Sequence, residues 1–331
     1  YKMRKLLLVA LLVLAACWDE EFAFKRFQQF INKYNKRYSS VEEFMARYYV
    51  FSNYLKQPFK FGLSYQTGIT KFSDMTQQEF RKTYLNLNYN AFAGINLKPV
   101  NFVRNGDAPD ELNFIEQGYL GEIKDQGSCG SCYAFSAIAN IEGLYYTKLG
   151  KNKEFSEQMI VDCDTLDSGC NGGLMELTFE WIKSNGGIMS MADYPYKGRK
   201  QACKSDKSKY DPDVVVTDWV KLGDPDETWS PVDEDEIKEF LYATGPLAIA
   251  LNADPLQWYS SGIIDLDERS CDPEGMDHAV TLVGYGVSGN TPYWLVRNSW
   301  GKNWGEKGYF RMYRGKGVCG INQYITTAVL A

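Results

Sequence analysis

Residues 124–135 read Lys124-Asp125-Gln126-Gly127-Ser128-Cys129-Gly130-Ser131-Cys132-Tyr133-Ala134-Phe135. Small residues up to Ser131 give way to a run in which Ala134, Ile138, Ile141 and Tyr145 recur at helical spacing. With Gly150 as a stop, the spacing predicts a helix from Ser131 through about Leu149. Cys132 then falls in the first turn of that helix. Unpaired backbone N–H groups and the helix dipole at that end favour an anion and lower the pKa of a thiol, and the thiolate is the form that attacks.

The rest of the chain narrows what such a thiol could do. The 331 residues are 44% apolar and 24% charged, a globular composition with room for two modest cores. Tyr is abundant, at 23 residues, whereas His278 is the single histidine, so any imidazole chemistry falls to it. A lone histidine is most often structural. Here it sits in Met276-Asp277-His278-Ala279-Val280, and the cysteine arithmetic supplies a thiol in need of a base. After Cys17 seven cysteines follow: Cys129, Cys132, Cys163, Cys170, Cys203, Cys271 and Cys319. Seven is odd, so at most three bridges form within the chain and one thiol remains. A third stretch, Arg297-Asn298-Ser299-Trp300-Gly301-Lys302-Asn303-Trp304-Gly305, offers an amide and two indoles, of which Trp304 suits plain core packing.

Organisation along the chain is uneven. Lys2, Arg4 and Lys5 precede an apolar run from Leu6 to Leu14 and then Ala15-Ala16-Cys17. Shorter than the roughly 20 residues that span a bilayer, this run reads as a secretory signal peptide over 1–17, with a lipid-anchored Cys17 as a minor reading. Export implies an oxidising compartment in which cysteines pair. Residues 19 to about 86 are helical in pattern, with Phe27, Phe30, Tyr34 and Tyr38 on one face. Lys98 to Pro109 is irregular and suits an exposed, cleavable linker. Lys and Arg outnumber Asp and Glu by 13 to 8 in residues 18–107, whereas residues 108–331 carry 20 against 34. A basic first segment and an acidic remainder are expected to attract, with acid pH loosening the contact, and the acidic surface argues against nucleic acid as a partner. Ser156 reads as a helix cap. His278 to Tyr285, Pro292 to Asn298 and Gly308 to Tyr313 read as antiparallel strands, and Asp224 to Glu239 as a solvated loop leading into a helix. A helical half facing a strand-rich half predicts a cleft between them.

The string Cys129-Gly130-Ser131-Cys132-Tyr133 is itself a recognised signature, and through it the chain resembles the papain family of cysteine proteases, in particular the cathepsin L-like branch. Tyr133 stands where most members carry Trp. The resemblance implies an α+β, papain-like two-lobe fold: a helical left lobe, an antiparallel β-barrel-like right lobe and a mainly helical N-terminal propeptide. It implies an inhibitory propeptide over 18–107 and a mature peptidase over 108–331, starting near Ala108. Cys132 becomes the nucleophile, His278 its acid–base partner, Asn298 the residue that orients the imidazole and Trp300 the shield over that bond. Gln126, with the Cys132 amide, becomes the oxyanion hole. The implied disulfides are Cys129–Cys170, Cys163–Cys203 and Cys271–Cys319.

Gly172 and Gly173 match the strip that binds an extended peptide. Leu174, Met175, Ala250, Met276, Asp277, Ala279 and Tyr324 match the surroundings of the pocket that receives the side chain two residues before the scissile bond. Tyr324 at its floor implies a shallow apolar pocket. In the propeptide, Glu43, Arg47 and Phe51 match one helical motif and Gly68, Thr70, Phe72 and Asp74 a shorter one, while Pro58 interrupts the pattern. No metal or organic cofactor is implied. The partners implied are protein or peptide substrates, the chain's own propeptide and cystatin-type inhibitors, for a monomer that leaves the membrane once the signal is cut. The destination is an acidic lysosome- or vacuole-like compartment or the extracellular space. Two other readings compete: a thiol-disulfide oxidoreductase using Cys129 and Cys132, and a non-catalytic peptide-binding homologue.

Overall fold

The computed structural model describes residues 20–57, 64–87, 99–100, 106–223 and 230–331. The signal-like run 1–17, Pro58, most of the linker and residues 224–229 of the acidic stretch lie outside them.

The N-terminal segment builds its own small core. Helices α1 (20–34) and α2 (Val41–Lys56) close over Phe27, Phe30 and Phe51, with Tyr34, Tyr38 and Phe44 packed against them. Ser40 caps α2 by accepting from the Glu43 amide, and Glu43 turns back to accept from Ser39, so the turn between the helices is fixed from both sides. Helix α3 (Gln77–Tyr84) starts on a capping box between Thr76 and Glu79. Arg47 of α2 ties the two pieces together by donating to the Asp74 carbonyl and to Glu79. One part of the helical pattern is not helix: β1 (Tyr65–Thr67) pairs antiparallel with residues 259–262 of the peptidase. Its backbone groups are satisfied by a partner far away in sequence, which local periodicity does not register.

The remainder forms the expected two lobes. After β2 (Pro99–Val100) and β3 (Leu112–Asn113) come α4 (Cys132–Leu149), α5 (Glu157–Cys163) and α6 (Met175–Asn185). The second half holds β4 (Val216–Leu222), α7 (Glu234–Thr244), β5 (Leu247–Leu251), β6 (Tyr259–Ile264), β7 (His278–Ser288), β8 (Thr291–Arg297), β9 (Tyr309–Tyr313) and β10 (Tyr324–Leu330). The sheet path runs β1-β6-β9-β8-β7-β5-β10-β4-β2 with β3 attached to β7. It is antiparallel except at the β6–β9 and β2–β4 pairs, and it stays open at both ends.

Helix α4 is the axle between the lobes. It is buried nearly all round, as a helix apolar on every face must be, and it ends at Gly150 in the left-handed conformation that glycine tolerates. Its polar residues are spent on the sheet: Ser136 donates to the Val280 carbonyl at 2.6 Å, and Asn140 bonds Pro246, Thr327 and Ala328. Because α4 is locked to β7 in this way, its first residue and the first residue of β7 are brought to the same end of the cleft. Ser156 caps α5 as expected. Disulfides join Cys129 to Cys170, Cys163 to Cys203 and Cys271 to Cys319, leaving Cys132 as the free thiol among the described residues.

Candidate active site

Cys132 opens α4 and is fully buried; the backbone amides of Ala279, Asn86 and Tyr133 face its sulfur. Burial pushes this thiol up to about 11, against the pull of those amides. The helix terminus therefore does not by itself yield a thiolate in this state. The Asn86 amide that faces the sulfur comes from the N-terminal segment.

His278 begins β7, one residue before Ala279. Its Nε2 lies 2.9 Å from Asn298 Oδ1, and the same oxygen accepts from the Ser299 amide at 2.8 Å. An oxygen that already accepts a backbone N–H fixes the side-chain amide, so Nε2 carries the hydrogen and Nδ1 carries the lone pair. Nδ1 is buried without a hydrogen-bond partner. Burial lowers the imidazole to about 4, with the Asn298 bond pulling the other way. Thiol and imidazole are thus both held in their neutral forms. Trp300 stacks on His278 at 4.7 Å between ring centres, and Trp304 meets Trp300 edge-on at 4.8 Å, as a core residue would.

Gln126 is buried beside the thiol loop. Its backbone N–H donates to the Ser299 carbonyl, its Oε1 accepts from Ser299 Oγ at 2.6 Å and its Nε2 donates to the Cys129 carbonyl at 3.0 Å. A primary amide has two N–H groups, and Cys129 engages one of them. Among the described residues no group of three His, Cys, Asp or Glu side chains is placed to hold a metal ion.

The stretch expected to bind extended peptide is occupied by the chain itself. Leu87 bridges Gly173 in parallel sense and donates its N–H to the Asp277 carbonyl at 3.1 Å. At Gly172, with φ of +107°, a Cβ would run into the Asn86 carbonyl, so only glycine lets the two backbones come this close. Leu87 belongs to one apolar cluster with Leu174, Met175, Ala250, Met276, Ala279 and Tyr324. Asp277 lies beside this cluster; burial and the neighbouring Asp254 charge push its carboxyl up to about 7, against Arg81.

The same segment is anchored further along. Phe72, Phe80 and Tyr84 pack edge-on against Trp300 at 5.0, 5.4 and 6.4 Å. Tyr54 stacks on Trp258, and Gln257 donates to the Met75 carbonyl while its own carbonyl accepts from Thr70 Oγ1. Among the described residues two ion pairs cross this interface, Lys71–Asp125 and Arg81–Asp254, beside a mainly aromatic contact.

The model of the papain family cysteine protease matches residues 108–329, and that of the cathepsin propeptide inhibitor domain matches residues 27–80. The chain belongs to the papain family of cysteine proteases. It is 40% identical to cathepsin F of Drosophila melanogaster over 92% of this chain, although it spans only 50% of that relative. It is 38% identical to cysteine proteinase 15A of Pisum sativum, covering 92% of this chain and 86% of the relative. Among solved structures, the digestive procathepsin L2 proteinase of the Tenebrio molitor larval midgut superposes with a TM-score of 0.83 at 31% identity, over 93% of this chain and 100% of that one. The two-lobe α+β fold with an inhibitory propeptide, and a cysteine-peptidase precursor of the secretory route, follow from these matches. The redox reading fails on the bridge itself: Cys129 is bonded to Cys170, so no Cys129/Cys132 pair exists.

Several residues at this site escaped the sequence reading. Asn86 and Leu87 carry no motif and act by lying in the cleft. Ser299, which locks Gln126, hides between two conspicuous neighbours. Glu176, in the first turn of α6, carries no motif, yet it is wholly buried.

Proposed function

We propose that the chain is the zymogen of a cysteine endopeptidase with Cys132 as nucleophile. Residues 1–17 form its signal peptide, 18–107 its inhibitory propeptide and 108–331 the mature enzyme, with cleavage near Ala108. With the propeptide gone, water reaches the cleft and the proton passes from the Cys132 thiol to His278 Nδ1. The thiolate attacks the scissile carbonyl, and the Cys132 amide and the Gln126 side chain stabilise the oxyanion. The imidazolium gives its proton to the leaving amine, and His278 then activates the water that cleaves the acyl-enzyme. Asn298 holds the ring in the tautomer this requires, under Trp300. Gly172 and Gly173 receive the substrate backbone. Leu174, Met175, Ala250, Met276, Asp277, Ala279 and Tyr324 surround the side chain two residues before the scissile bond, which is apolar. Cystatin-type inhibitors suit the same cleft, and the mature enzyme works as a monomer in an acidic compartment or outside the cell.

The observation that carries this reading is the buried His278 Nε2–Asn298 Oδ1 bond, which leaves Nδ1 bare next to Ala279, whose amide faces the Cys132 sulfur. The seat of Leu87 in the apolar cluster supports the pocket preference. The test is to acidify purified precursor and follow processing near Ala108 together with cleavage of a peptide carrying Leu at the pocket position. A Cys132→Ala precursor is expected to do neither. Processing or turnover by that variant would sink the assignment.

A further inference from the structure

The apolar cluster at the cleft conceals a carboxyl. Glu176 is the second residue of α6, where an acidic side chain ordinarily stays in water near the helix N-terminus, yet its exposure is 0%. Oε2 accepts a hydrogen bond from the Tyr324 hydroxyl, while Oε1 is buried with no hydrogen-bond partner. Tyr324 faces Ala250 across β5–β10, Ala250 faces Ala279 across β5–β7, and all three share the apolar cluster that holds Leu87. The tyrosine ring therefore belongs to the apolar side of the floor and its hydroxyl to the carboxyl behind it.

Resting on the cysteine-peptidase reading, we propose that Glu176 is a specificity-determining residue: its carboxyl pins Tyr324 as an apolar lid, and removing the lid turns the pocket into one that takes a basic side chain. An unpartnered oxygen in a dry site is a strong acceptor for an ammonium or guanidinium that can reach it. The groups facing this carboxyl are Tyr324 and Thr326 of β10 and Lys221 of β4. Burial pushes Glu176 up to about 7, with the Tyr324 and Thr326 bonds and the Lys221 charge opposing.

The experiment uses acid-activated enzyme from the full precursor and two fluorogenic peptides that differ only in Leu or Arg at the pocket position. Native enzyme is expected to prefer Leu. Tyr324→Ala should raise the Arg-to-Leu ratio of kcat/KM by at least about 10-fold, mostly through KM. Adding Glu176→Gln should return the ratio to the native side. A ratio unmoved by Tyr324→Ala, or a gain that survives Glu176→Gln, overturns the proposal. Tyr324→Ser carries the same expectation where Tyr324→Ala fails to fold, and misfolding of both variants assigns Tyr324 to structure alone and also overturns it. Failure of the underlying reading looks different: native enzyme would then cleave neither peptide.

Discussion

The propeptide meets the enzyme in two ways. Around Trp300 it docks through aromatic faces: Phe72, Phe80 and Tyr84 bury themselves in the peptidase's own core, and β1 adds to the edge of its sheet. At the cleft it is a short strap, where Asn86 and Leu87 meet Cys132, Gly172, Gly173 and Asp277 mostly through backbone. Affinity resides in the dock, since apolar burial scales with area, whereas inhibition resides in the strap, since it covers the sulfur.

The contrast can be broken at several points. The largest effect belongs to the enzyme beneath the strap: Gln126→Ala should lower kcat by about 10²- to 10³-fold with little change in KM, and an equal loss in both would remove Gln126 from the oxyanion hole. Next comes the dock. Phe72→Ala should cost on the order of 3 kcal/mol, about two orders of magnitude in propeptide hold, seen as faster self-processing, whereas Leu87→Ala should loosen the hold by about 10-fold or less. The reverse ranking would move the affinity to the strap.

Acid sharpens the comparison at the level of protons. His278 is held at about 4 under the strap, below its ordinary value, so the closed state binds fewer protons than the open one. Its stabilisation of the closed form is complete above about pH 6.5 and is lost as pH falls toward 4. Asp277, raised to about 7, acts with the opposite sign, favouring closure in acid and losing that contribution as pH rises to 7. In a Cys132→Ala background, where nothing is cleaved, the two contributions oppose each other between about pH 6.5 and 4, so propeptide release followed by tryptophan fluorescence should change little over that range, and Asp277→Asn should make it accelerate as pH falls from about 6.5 to 4. A flat profile in both proteins would contradict the assignment. The smallest effect is expected from Lys71→Met and Arg81→Met, each changing release by less than about 5-fold in moderate salt, because partly exposed ion pairs contribute about 0–1 kcal/mol.

What could be read from the sequence follows the same division between local and distant. Helix α4, its Gly150 stop, the Ser156 cap and strands β7 to β9 are written in neighbouring residues, and so is the placement of Cys132 at a helix start. His278 and Asn298 stood out through scarcity and family resemblance, and the cysteine pairing through resemblance alone. Strand β1 depends on a partner at residues 259–262, and β6 runs parallel to a later strand, so neither leaves a local mark. The position of the Asn86 amide at the thiol depends on where a short strap meets a cleft made by residues dozens to nearly two hundred positions away. Glu176 shows the limit most clearly: its first-turn position says water, and only the meeting of α6 with β10 buries it.

The most direct test of the central claim is alkylation mapped by mass spectrometry, with iodoacetamide applied to the precursor and to the acid-processed enzyme under non-reducing conditions. Expected are no rapid labelling of the precursor, a single adduct on Cys132 after processing, and loss of peptidase activity in proportion to that adduct. Rapid labelling of Cys132 in the intact precursor, an adduct on another cysteine, or activity that survives full modification of Cys132 would contradict it.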